Sequence, residues 1–279
     1  MSAGTSAVTD FYSEHPISAA IILARLRERR GHLDGLRPED LFAHDQDHYG
    51  GLAANDALAV AAGVGAGSEV ADFCAGLGGP ARYLAHRYGA TVIGIELTPE
   101  RVAGAAELTR LVGLEKRVYV IRADVRTVSL RDGSMGAVVS QEAMLHVPER
   151  ERALAEAFRV LRPGGRLAFT DWVVHTPLTK SDEALLWDGM AAREIENPIS
   201  YEDKLRSVGF RICSVEDLTS AWAPILAERL EMYERLRQET RAAGTPEGHD
   251  ALYRSYARFV RLVQEGAMGG ARFCAEKPL

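Results

Sequence analysis

Residues 71–79 read ADFCAGLGG, with Gly76, Gly78 and Gly79 crowded into four positions directly after an apolar run. A short buried strand followed by a bare turn is the reading that fits. Gly76 and Gly78 can take positive φ, and they leave no Cβ in the way of a close ligand. Pro80 suits the first turn of a helix, where its missing N–H costs little. The same pattern also describes a tight strand–helix turn with no ligand, so the neighbouring sequence has to decide.

Working outward, the chain alternates strands with helices. EVADFC, TVIGIEL, VYVIRAD, MGAVVSQEAM, RLAFTDWVV, RICSVEDL and GARFCAEKP read as seven strands. PARYLAHRYG, PERVAGAAELTRLVGL, ERERALAEAFRVL and SYEDKLRSVGF read as helices between them. Such alternation predicts an α/β fold, a doubly wound and mostly parallel Rossmann-like sheet. Before the sheet, residues 1–10 are small and polar and predict a mobile terminus. FYSEHPISAAIILARLRERRG predicts one amphipathic helix, apolar at Ile17, Ala20, Ile21, Ala24 and Leu26. We divide the chain into a helical N-terminal lid or substrate segment, 1–60, and a main domain, 61–279. The main domain carries helical insertions at 176–200 and 221–268, the second broken at AAGTPEGHD. Those segments are the natural place for substrate selection.

In a parallel sheet, ligands bind beyond the carboxyl ends of the strands. Two acidic residues end consecutive strands after the glycine turn. Glu96 can accept hydrogen bonds from ribose hydroxyls, or serve as a helix N-terminal charge. Asp124 can accept from an adenine amine, or cap a helix. GLGGPA formally fits a dinucleotide fingerprint, which would make the chain an NAD(P)-dependent oxidoreductase. Asp72, however, stands just before the glycines, where a carboxylate repels a pyrophosphate and suits an ammonium or sulfonium. S-adenosylmethionine is the adenosine cofactor with that charge. A non-catalytic nucleotide-binding protein is the other alternative.

VADFCAGLGGPARYLAHRYGATVIGIELTPERVAGA, RADVRTVSL, GAVVSQEAMLHVPERERALAEAFRVLRPGGRLAFTDW and SVGF together resemble class I S-adenosylmethionine-dependent methyltransferases of small molecules. The flavour is that of glycine, sarcosine and dimethylglycine N-methyltransferases and of natural-product methyltransferases. The resemblance implies an antiparallel last strand. It implies that Asp72, Cys74, Ala75, Gly76 and Gly78 line the methionine end of the cofactor, and that Glu96 holds the ribose with Leu97 against the adenine. Asp124 and Val125 would meet the adenine, and Gln141 would lie near the reactive end. Cys74 departs from the family's first glycine, and a small thiol should be tolerated there.

Methyl transfer needs in-line positioning, exclusion of water and, for a protonated nucleophile, a base. His146 titrates in the right range for a base, or is simply a histidine at a helix start. Glu142 either attracts an amine or caps a turn. In HDQDHYGG, Tyr49 is a catalytic candidate that could hydrogen-bond the methionine carboxylate or the substrate, and His48 a substrate contact, unless the segment is only a polar loop. Trp172, Trp187 and Met190 either wall the acceptor pocket or fill core, and Tyr12, Tyr201, Trp222, Tyr233 and Tyr256 are weaker candidates for the same role. An aromatic wall would suit a planar acceptor or a cationic amine. No metal is required.

The net charge of −6 argues against a nucleic-acid partner. No run reaches the roughly 20 apolar residues that span a bilayer, so no membrane partner is expected. Cys74, Cys213 and Cys274 lie far apart, form no C-x-x-C pair and suit a reducing, cytoplasmic setting. The expected partner is a small-molecule acceptor, with transfer to nitrogen or oxygen ahead of carbon. The long inserted helices leave a homo-oligomer open.

Overall fold

The computed structural model describes residues 3–13, 15, 17–242 and 247–279. Four helices come first: α1 (Ala3–Ser13), α2 (Ala19–Arg30), α3 (Pro38–Leu41) and α4 (Gly51–Ala62). The terminus expected to be mobile is thus helical from Ala3. The single helix expected from Phe11 is two helices, and Ser18 caps the second by accepting from the Ile21 N–H. Its buried face is Ala19, Ile22, Leu23 and Leu26, packed with Leu108 and Val112, whereas Ala20, Ile21 and Ala24 are exposed. The face actually used has the i, i+3, i+4, i+7 spacing of one helical stripe.

The sheet then builds strand by strand: β1 (Glu69–Phe73), α5 (Gly79–Tyr88), β2 (Thr91–Glu96), α6 (Pro99–Leu111), β3 (Val118–Arg122), β4 (Met135–Gln141), α7 (Arg150–Val160) and β5 (Leu161–Val174). After it come α8 (Lys180–Met190), α9 (Pro198–Val208), β6 (Arg211–Asp217), α10 (Thr219–Ala242), α11 (Glu247–Gln264) and β7 (Met268–Glu276). The strand order is β3-β2-β1-β4-β5-β7-β6, parallel except for β7, which runs antiparallel to β5 and β6. That is the sheet the sequence predicts. One boundary differs. The turn expected at LRPGGRL is drawn into β5, whose register against β4 shifts between Met135 and Ala137.

Order reverses between β1 and β4, so their carboxyl ends flank the crevice where such sheets bind ligands. Phe73, Val138 and Phe169 are fully buried on one face, against α7 and α9. Val70, Val92 and Val139 are buried on the other, against α4 and α5. A third cluster is aromatic and lies beyond the sheet's end: Trp172, Trp222, Tyr233, Tyr256 and Phe259, between α8, α10 and α11. The break foreseen at AAGTPEGHD falls partly on residues 243–246, outside the described residues. Among the described residues, no helix is long and apolar enough to cross a membrane.

Candidate active site

Two adjoining cavities sit over the carboxyl ends of β1 and β4. The larger, about 1050 Å³, is lined by Asp72, Cys74, Ala75 and Gly76 from the glycine turn. Glu96 and Leu97 after β2, Asp124 and Val125 after β3, and Gln141 at the end of β4 complete it, with His48 from the N-terminal segment. The smaller, about 500 Å³, holds Tyr49, Trp172 and Met190. Tyr12, Asp47, Glu142 and His146 border both.

The backbone explains how the turn is made. Cys74 at the end of β1 has φ 61°, and Glu142 at the end of β4 has φ 44°. Both are left-handed, which costs a non-glycine residue roughly 1–2 kcal/mol. This is the physical reason a glycine is expected at position 74, and such strain concentrates at functional crevices. Of the glycines, Gly76 lines the cleft. Gly78 does not: a Cβ there would meet Arg82 Nη1 at 3.1 Å and Val120, away from the ligand space. Its φ of 74° starts α5 instead. Gly79 is the close-approach position, because a Cβ would fall 1.9 Å from the Asp45 carbonyl oxygen. The expectation for Gly78 is therefore corrected in favour of Gly79.

Asp45 ties the HDQDHYGG segment down onto that turn. Its Oδ2 accepts from Arg82 Nε (3.2 Å) and Nη2 (2.9 Å), and both side chains are fully buried. Arg82 also donates to Thr109 Oγ1. Asp47 accepts from Arg101 Nη2 at 2.7 Å. The segment is thus a clamped wall rather than a free polar loop.

Glu96 Oε2 accepts from the Gly76 N–H (2.9 Å) and Oε1 from the Thr98 N–H (2.8 Å). Each oxygen keeps a further lone pair toward the cleft. Asp124 is less free than the sequence suggests. Arg126 grips both its oxygens through three side-chain hydrogen bonds, and its backbone N–H adds a fourth, holding the carboxyl below the usual range despite burial. Four buried atoms have no partner here: Asp72 Oδ2, Gln141 Oε1, Arg101 Nε and Arg101 Nη1. Burial, with Glu96 nearby, pushes the Asp72 carboxyl up to about 7. Two orphan acceptors and two orphan donors are the complement of a zwitterion, and the methionine tail of S-adenosylmethionine is one. Arg101 gave no signal in the sequence, where it reads as an ordinary helix arginine in PERV.

At the shared wall, His146 Nδ1 lies 3.0 Å from the Ala191 carbonyl oxygen, which places a proton on Nδ1. Nε2 is then the acceptor for the Tyr12 hydroxyl at 2.9 Å. Burial holds the imidazole down to about 4, so it is neutral at pH 7. Glu142 accepts from the Tyr49 N–H at 2.7 Å and from Thr170 Oγ1. Burial nevertheless pushes it up to about 7, poised to gain or lose a proton near neutrality. His48 is also held down to about 4 by burial; its Nε2 lies 2.9 Å from Gln46 Oε1, and its Nδ1 lies 3.1 Å from Gln141 Nε2 and 3.2 Å from the Tyr49 carbonyl oxygen. It lines the larger cavity and not the smaller. Trp187 lines neither cavity: it is half-buried, with the Arg193 guanidinium over its ring at 4.9 Å. Among the described residues, no group of three or more His, Cys, Asp or Glu side chains is placed to hold a metal ion.

Residues 71–169 match the family described as a methyltransferase domain. A sarcosine/dimethylglycine N-methyltransferase from Halorhodospira halochloris is 34% identical over 187 residues, 67% of this chain and 64% of the relative. The chain thus spans just under two thirds of that relative. Among solved structures, the [4+2]-cyclase SpnF is similar with a TM-score of 0.72 at 25% identity, over 81% of both chains. A Haemonchus contortus phosphoethanolamine N-methyltransferase 2, solved with S-adenosyl-L-methionine, shares the fold with a TM-score of 0.76 at 24% identity, over 98% of this chain and 60% of that one. The dinucleotide-oxidoreductase reading finds no support among these likenesses. Family match and strand order agree: residues 71–169 form a methyltransferase domain of the matched family, set in a sheet of the order its structural neighbours share.

Proposed function

We propose that this protein transfers a methyl group to a nitrogen, or next to that an oxygen, of a small-molecule acceptor held in the smaller cavity. The observation that carries the reading is the wall common to both cavities, where Tyr12, Asp47, Glu142 and His146 stand between cofactor space and acceptor space. When bound, S-adenosylmethionine supplies a methyl group on a positively charged sulfur. The protein's task is then alignment, dryness and proton removal.

Asp72, Gln141 and Arg101 suit the methionine tail, and Glu96 suits the ribose hydroxyls. Leu97 and Val125 would flank the adenine, with Asp124 sharing its oxygens between Arg126 and the adenine amine. Glu142, near its titration point at neutral pH, takes the proton from an acceptor ammonium and passes it to solvent. Neutral His146 fixes the Tyr12 hydroxyl, which closes the cavity from α1 and orients the acceptor. Residues 1–60 and the insertions 176–200 and 221–268 serve as the acceptor cap of a cytoplasmic enzyme.

The test is release of S-adenosylhomocysteine from S-adenosylmethionine across a panel of amines and alcohols. With a responding acceptor, Tyr12→Phe should lower turnover about 10- to 100-fold and leave S-adenosylhomocysteine affinity within about threefold. Unchanged turnover removes the Tyr12–His146 pair from the chemistry. Tight S-adenosylhomocysteine binding with no transfer to any acceptor would align the chain with the cyclase instead.

A further inference from the structure

The smaller cavity has a surplus of hydrogen-bond donors. Trp172 is 6% exposed and Tyr256 is 2% exposed, and both line the cavity. Neither Trp172 Nε1 nor Tyr256 Oη has an acceptor to donate to. The Trp172 ring cannot turn away to find one, because it is stacked on Phe259 at 3.9 Å with the planes 9° apart. The Tyr256 hydroxyl oxygen lies beside the Tyr49 hydroxyl as an acceptor, which leaves the Tyr256 O–H itself without a partner to donate to.

Arg229, from α10, adds a positive charge to the same cavity. Its Nη2 donates to the His48 carbonyl at 3.0 Å, and its guanidinium lies over the Tyr49 ring at 4.7 Å. Among the described residues it has no ion-pair partner. The two carboxylates bordering the cavity are engaged elsewhere: Asp47 with Arg101 at 2.7 Å, Glu142 with the Tyr49 N–H at 2.7 Å. Unpaired donors and a buried cation with no ion-pair contact, balanced only at longer range by Asp47 and Glu142, are costly in an aromatic cavity until an acceptor-rich ligand fills it. One face of Tyr49 is covered by Arg229 and one face of Trp172 by Phe259, which leaves less aromatic surface for a cationic amine than the sequence suggests.

We propose that Arg229, Trp172 Nε1 and Tyr256 Oη form an anion subsite, so that the acceptor is a small molecule carrying a carboxylate or phosphate beside its nucleophile. The inference deepens the methyl-transfer reading and rests on it for the role of the ligand. A planar fork and two neutral donors line the same cavity, a set that suits an oxyanion with several lone pairs. The nucleophile at the other end of such a ligand faces Glu142 and His146.

The test follows the Trp172 indole N–H by heteronuclear NMR in the full chain at constant ionic strength, assigned with Trp172→Phe. The probes are sarcosine for the carboxylate, phosphoethanolamine for the phosphate and N-methylethanolamine as an amine without an anion, with and without S-adenosylhomocysteine. The indole signal should move saturably with at least one anionic probe, and the better of the two identifies the group. N-methylethanolamine should leave it in place. Arg229→Gln should raise the half-saturation at least tenfold, Arg229→Lys less, and Tyr256→Phe a few-fold, with the S-adenosylhomocysteine affinity unaltered. A signal that no probe moves, an equal response to N-methylethanolamine, or an unchanged Arg229→Gln titration overturns the subsite. Anion binding in a protein that fails to bind S-adenosylhomocysteine upholds the subsite and sinks the methyltransferase reading alone.

Discussion

The two cavities share a wall but are assembled differently. The cofactor cleft takes no residue beyond Pro148, and most of its lining comes from the ends of β1, β2, β3 and β4 in sequence order. The acceptor cavity gathers side chains from α1, the segment after α3, β5, α8, α10 and α11. One is a property of a repeated strand–turn–helix unit. The other exists only once distant segments have packed, and its shape is set by aromatic contacts such as Tyr49 against Trp222 and Tyr233 against Tyr256. The lesson is that a crevice built from strand ends tolerates change in the cap, whereas the cap's cavity depends on everything beneath it.

The largest effect is expected where the two regions are pinned together. Asp45→Ala strands the Arg82 guanidinium in a fully buried site, which should cost about 3–5 kcal/mol of stability. It should also weaken ligand binding in both cavities, because Asp47, His48 and Tyr49 follow directly. Thermal unfolding and S-adenosylhomocysteine titration would measure both. A variant that lost acceptor binding alone would show that the cofactor cleft stands without this clamp.

A smaller effect should be confined to the cleft. With its carboxyl raised to about 7, Asp72 gains roughly tenfold in ionised fraction per pH unit below that value. S-adenosylmethionine affinity should therefore climb from pH 5 to 7 and level off above. Asp72→Asn should flatten its share of that slope, and S-adenosylhomocysteine, lacking the sulfonium charge, should show a shallower one. The sign for stability is opposite. A raised folded-state value means the group's contribution to the unliganded fold is complete below about 3.8 and is lost as pH rises through about 7. A pH-independent affinity in the parent protein would detach Asp72 from cation binding.

The smallest effect is expected at Trp187. Because it lines neither cavity, Trp187→Leu should leave acceptor KM and cofactor affinity within about twofold, the half-buried contact with Arg193 being worth at most about 1 kcal/mol. A larger change in KM would extend the acceptor cavity to that face of α8.

What could be read from the sequence follows the same division. Asp72, Glu96 and Asp124 were legible because each lies within two residues of a strand's carboxyl end, and alternating strands and helices fix where strand ends meet. The antiparallel β7 came with the family resemblance. Gly78 and Gly79 were not separable, since which glycine meets a neighbour depends on where residue 45 lies, and no spacing encodes that. Arg101, Asp47 and Arg229 went unnoticed for a related reason. Charged residues on helices or in polar loops read as solvated until tertiary packing buries them. Trp172 and Trp187 look alike in sequence, both apolar residues near an insertion. Only the stacking of α11 on β5 puts the first inside a cavity and leaves the second beside it.

Because the cleft draws nothing from α8, α10 or α11, those three helices form an exchangeable cartridge. Replacing them with the matching portion of another chain of the same sheet order would import a new acceptor preference while leaving the nucleoside grip intact. The graft points are the end of β5, the start of α9, the end of β6 and the start of β7, so that α9 and β6 stay with the sheet; Val174 of β5 pairs with Met268 of β7 and holds the outer two seams side by side. Lineages that diversify their substrates without re-evolving the donor pocket have, in this layout, a ready route.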